Sequence, residues 1–151
     1  MTAQYLEDVA VGQTFSSRRL RIDAEQITTF AAAFEPQPCH LDEEAARDTI
    51  VRGLAASGWH TAAVTVRLLV ESDLTPAVGL VGAGFDACRW PRPVRPGDAL
   101  RVESEVLEVR PSQSRPDQGL IKVRTTLNQH GEAVLVLIDN LVVRRRVKQV
   151  Q

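Results

Sequence analysis

The chain has 151 residues, 44% of them hydrophobic and 25% charged, with a formal net charge of −1 at pH 7. That is enough chain for one well-buried domain over 1–151, and its charges are too balanced to draw nucleic acid or an anionic membrane surface. No run approaches the ~18 consecutive apolar residues of a membrane span. Residues 1–13 lack the apolar core of a signal peptide, and Cys39 and Cys88 form neither a CxxC nor a disulfide framework. The expectation is a cytoplasmic protein.

Residues 14–22 form a first extended piece, with Phe15, Leu20 and Ile22 as its apolar members. Asp23 reads as an N-cap with Gln26 as its reciprocal partner. The helix behind it carries Ile27, Phe30, Ala31 and Phe34 on one face and stops before Pro36 and Pro38. A short second helix starts at Asp42. Residues 53–72 predict one long helix with apolar or small residues on nearly every face, buried all round. From about residue 75 the period becomes strand-like, with strands over 82–90, 99–110, 119–129 and 133–145. Pro96-Gly97-Asp98, Arg115-Pro116-Asp117 and His130-Gly131 supply turns. Short connections imply antiparallel pairing. The fold class is therefore α+β, an antiparallel β-sheet curled around the long central helix.

Chemistry concentrates in Phe34-Glu35-Pro36-Gln37-Pro38-Cys39-His40-Leu41-Asp42. Glu35 and His40 stand five apart on a loop that two prolines stiffen. A carboxylate and an imidazole held in this way are materials for proton transfer near neutral pH. Taken alone, the pair is weak evidence, and a capping or surface role is the commoner reading of each residue.

This segment resembles the hydratase signature of the MaoC-like dehydratases, the R-specific enoyl-CoA hydratase type. The resemblance continues through Ile50-Val51-Arg52-Gly53, Ala56-Ser57-Gly58-Trp59-His60-Thr61 and Arg92-Pro93-Val94-Arg95-Pro96-Gly97-Asp98. It implies a hot-dog fold, a homodimer or larger assembly, and an acyl-CoA or acyl-carrier thioester as substrate. It also implies reversible syn addition of water to a 2-enoyl thioester, with no cofactor and no metal. By the same resemblance Glu35 and His40 form the acid–base pair, and the Gly53 N–H polarises the thioester carbonyl at a helix N-terminus. One departure stands out: Glu35 is a methylene longer than the family's usual Asp. Ser57, Gly58, Thr61 and Arg89 are the candidate substrate contacts.

Other features admit plainer readings. His60 reads as a core or interface histidine. Ser57 and Thr61 share a helix face and can orient the pair or bond back to the helix. Arg89, Arg92 and Arg95 can meet CoA phosphates or serve as surface charges. Cys39 and His40 point apart, which disfavours a thiolate nucleophile, and Cys39, His40 and His60 match no zinc spacing. The glycines of 79–84 open a strand, since no helix follows. Arg144-Arg145-Arg146 reads as a solvated strand end, with no interleaved aromatics to suggest nucleic acid. Thioester hydrolysis and non-catalytic thioester binding remain alternatives to hydration.

Overall fold

The computed structural model describes residues 3–77 and 79–146. Among the described residues, four α-helices, α1 (Ala24–Phe34), α2 (Pro38–Leu41), α3 (Glu43–Arg47) and α4 (Gly58–Val70), and one 3-10 turn, Leu6–Asp8, accompany six strands. These are β1 (Thr14–Ser16), β2 (Leu20–Arg21), β3 (Val81–Arg89), β4 (Ala99–Pro111), β5 (Gln118–Gln129) and β6 (Glu132–Arg144). The sheet is antiparallel in the order β1-β4-β5-β6-β3, with β2 also paired to β4. The four long strands lie within one residue of the ranges that periodicity gives. The first extended piece divides into β1 and β2.

Alternation decides which side of the sheet faces inward. Leu100, Val102 and Val106 of β4, with Leu127, Val123 and Ile121 of β5, are buried against α4. Leu68 joins the cluster around Leu100, Val102 and Leu135, and Leu69 the one around Phe15, Ile121 and Leu141. Each such aliphatic side chain contributes about 1.5–3 kcal/mol of burial. Between the clusters the inner face is polar but paired: Ser104 and Thr125 hydroxyls lie 3.0 Å apart, and Thr65 donates to the Thr61 carbonyl at 2.8 Å. His130 and Gly131, at φ 48 and 79, form the two-residue turn that joins β5 to β6. Both central residues need positive φ in such a hairpin.

The Asp23–Gln26 capping box forms as the sequence indicates, with bonds of 2.8 and 2.9 Å. Three expectations need correction. The central helix is Gly58–Val70 and does not fill 53–72. The N–H of Ala55 goes to the Cys39 carbonyl and that of Ala56 to the Val94 carbonyl, while Arg95 takes the Gly53 and Leu54 carbonyls. Those groups are spent on tertiary partners and cannot form a helical ladder. The helix is also not buried all round, since Trp59, Val66 and Val70 are exposed along one stripe. Phe34 likewise lies in solvent, and Ile27 and Ala31 carry the buried face of α1. The Arg144-Arg145-Arg146 run ends β6, and two of its members pair with acids: Arg145 with Glu7 at 3.0 Å and Arg146 with Asp8 at 2.7 Å.

Candidate active site

Helix α1 stops at Glu35, the C-cap, whose N–H still reaches the Ala31 carbonyl at 2.8 Å. The chain then turns through Pro36 into α2, a single helical turn where the sequence suggests only loop. Pro38 opens that turn, a position whose N–H has no helical partner in any case. His40 lies on α2, so Glu35 and His40 flank one rigid corner.

The irregular segment 53–57 closes the corner from the other side. Ala55 is bound to α2 twice: its N–H donates to the Cys39 carbonyl at 3.0 Å, and its carbonyl lies 2.7 Å from His40 Nδ1. A carbonyl can only accept, so Nδ1 carries a proton, and Nε2 is the ring nitrogen turned toward Glu35. Glu35 Oε2 lies 3.6 Å from that Nε2, beyond direct hydrogen-bond range. A water oxygen set to one side can lie about 2.8 Å from both. The side chains are 12% and 27% exposed, His40 the less, so the gap opens to solvent without being swamped by it.

The carboxylate is held by two further donors. Gln37 Nε2 donates to Oε2 at 2.9 Å, and the Ser57 hydroxyl donates to Oε1 in a short contact. Ser57 is fully buried and caps α4 by accepting the Trp59 N–H at 3.2 Å, so its one hydrogen is free for Glu35. The longer Glu side chain is thus anchored at both oxygens.

The other sequence candidates are placed as follows. Gly53 is buried, but not at a helix N-terminus, because α4 begins only at Gly58. A Cβ there would stand 3.2 Å from Arg95 Nη1. Gly58 lies under Trp90, whose indole N–H donates to the Gly58 carbonyl at 2.9 Å; a Cβ would meet the ring at 2.9 Å. Thr61 is buried and bonds back to the Ser57 carbonyl at 3.2 Å. Arg89 sits at the exposed end of β3, and no hydrogen bond or ion pair links it to the corner. Sequence reasoning missed Gln37 as a donor and Arg95 as a clamp, neither of which carries a local signal. The Arg95 guanidinium holds the carbonyls of Val51, Gly53 (2.8 Å) and Leu54 (3.3 Å). Arg92 pairs with Glu132 at 2.8 Å.

A family model for the MaoC like domain matches residues 7–129. The chain belongs to the MaoC-like domain family. Its hot-dog fold is that of the MaoC-like dehydratase from Rhodospirillum rubrum, 50% identical with a TM-score of 0.92 over 97% of this chain and 100% of that one. The (R)-hydratase of A. caviae involved in PHA biosynthesis is 25% identical, with a TM-score of 0.69 over 93% of this chain and 99% of its own. A mesaconyl-CoA hydratase of Cereibacter sphaeroides is 45% identical over 82 residues, 52% of this chain but only 24% of that longer protein. In this MaoC-like domain the Ser57 and Gln37 bonds both fall on the Glu35 carboxylate.

Proposed function

We propose that this MaoC-like protein is an (R)-specific enoyl-CoA hydratase, a hydro-lyase that reversibly adds water to a 2-enoyl thioester. The observation that carries the reading is Glu35 Oε2 and His40 Nε2 facing each other 3.6 Å apart, with the imidazole held through Nδ1 by the Ala55 carbonyl. The (R)-hydratase and mesaconyl-CoA hydratase likenesses support it.

Glu35 takes a proton from the water as its oxygen bonds to C3 of the enoyl group. The C2–C3 π electrons move to the thioester carbonyl as an enolate, which the Gly53 N–H stabilises. The proton passes across the gap to His40 Nε2 and on to C2. Both residues end as they began, and H and OH add from one face. Dehydration is the reverse.

The test uses crotonyl-CoA, with mesaconyl-CoA beside it. Loss of enoyl absorbance without free thiol, giving the 3R alcohol, is the expected result. Thiol release would replace the reading with thioester hydrolysis. Binding with neither change would leave a thioester-binding module.

A homodimer goes with this function. Strand β3 is an edge of the sheet, and it exposes Val81 and Phe85 at 56% each. On α4, Trp59, Val66 and Val70 add an apolar stripe at helical spacing. An uncovered apolar edge and an uncovered apolar stripe are association surfaces. Light scattering at micromolar concentration should report twice the mass of one chain or a multiple of it, and a monomer would remove the dimer from the proposal.

A further inference from the structure

His60 has no role in the chemistry above, yet it is the least satisfied polar side chain near it. Its Nδ1 is buried without a hydrogen-bond partner. Among the described residues no hydrogen bond or ion pair reaches the ring at all. The imidazole lies flat on Phe30, with centroids 4.6 Å apart and planes 7° apart, so its orientation is fixed. Burial holds its pKa below the usual histidine value, which keeps it neutral. A half-buried, oriented imidazole whose Nδ1 is buried and unused calls for a partner.

Position says which partner. His60 is three residues beyond Ser57 on α4, about 4.5 Å along the axis and roughly 60° around it. Trp59, in the exposed stripe, is about 100° away from it. His60 therefore faces α1 and the Glu35 corner more than the association surface. His60 thus lies less than one helical turn from Ser57, whose hydroxyl holds the Glu35 carboxylate.

We propose that His60 is a binding residue for the acyl group, hydrogen-bonding an oxygen substituent on C4. The preferred substrates are then 2-enoyl thioesters that carry a hydroxyl or a carboxylate there, not plain alkyl chains. This deepens the hydratase reading and rests on it. The shared chemistry is one oxygen that can pair with one imidazole nitrogen. A site built to pair with a polar group discriminates strongly against an analogue that lacks it.

Crotonyl-CoA, 4-hydroxycrotonyl-CoA and fumaryl-CoA place a methyl, a hydroxymethyl and a carboxylate at the same point. The wild type should favour one or both oxygenated thioesters over crotonyl-CoA by roughly 10²-fold in kcat/KM. The two arms separate hydroxyl from carboxylate. His60→Leu should collapse that ratio toward one, mainly through KM, and His60→Gln should restore part of it. His60→Leu should also melt at or above the wild-type temperature, because it removes an unpaired buried nitrogen. Preference for crotonyl-CoA, or a ratio that survives His60→Leu, would overturn the proposal. So would an unchanged ratio with a shifted dimer dissociation constant, which would make His60 a contact between copies. Absence of turnover on all three thioesters strikes the hydratase reading first, whereas turnover in the wrong order strikes His60 alone.

Discussion

Replacing Glu35 by Gln, or His40 by Ala, is expected to lower kcat by roughly 10²- to 10⁴-fold, the usual contribution of a positioned acid or base. The two losses should not add in the double variant, because both groups serve one proton path. KM should move little, since neither side chain holds the nucleotide part of a thioester. Glu35→Asp is the informative companion. The glutamate carboxylate receives Gln37 at 2.9 Å and the Ser57 hydroxyl, and it faces His40 Nε2 at 3.6 Å. Removing one methylene withdraws it from all three, and a misplacement of about 1 Å can cost on the order of 10²-fold in rate. Asp is therefore expected to be slower here, although it is the residue that the family resemblance leads one to expect. An aspartate variant as fast as wild type would mean that Ser57 and Gln37 do not set the geometry. Unchanged activity in Glu35→Gln or His40→Ala would remove the pair from the mechanism.

The parts of this molecule that follow a local rule were legible in the sequence. Period-two alternation gave β4, β5 and β6 almost to the residue, because one face of each strand is buried and the other is not. Asp23 and Gln26 announced their helix start through a two-residue chemistry that needs nothing distant. Glu35 and His40 were visible because two prolines mark their corner. What stayed hidden depends on partners far along the chain. Residues 53–57 look helical by composition, and distant Cys39, Glu43, Val94 and Arg95 hold them out of the helix. The exposed stripe of α4 looked buried because apolar residues on every face carry no sign of what covers each face. For Ser57 the sequence leaves two fates open, orienting the pair or bonding back along its own helix, and the structure points its hydroxyl at Glu35.

Arg95→Ala should have the largest structural effect. The guanidinium reaches across the sequence to the carbonyls of Val51, Gly53 and Leu54, while the backbone N–H of Arg95 is itself held by Asp98 at 2.9 Å. Glu43 holds the same segment from the other side by accepting the Leu54 N–H at 3.1 Å. These bonds fix the chain that presents the Gly53 N–H and the Ala55 carbonyl behind His40. Charge-assisted bonds contribute about 1.5–3 kcal/mol each, and Arg95 is only half-buried, so the net loss should be about 2–4 kcal/mol. For a domain of this size that lowers Tm by about 5–15 °C. The rate should fall further than stability alone explains, by roughly 10²-fold in kcat at a temperature where the variant is folded, because the Gly53 N–H proposed as the oxyanion donor is displaced. Arg95→Lys should recover little, since an ammonium cannot fork to three carbonyls on two nitrogens. Urea unfolding, with crotonyl-CoA kinetics on the folded fraction, measures both effects. A variant that melts like wild type and loses only thioester affinity would return Arg95 to phosphate binding, leaving segment 53–57 to be held by Glu43 and the backbone bonds of Ala55 and Ala56.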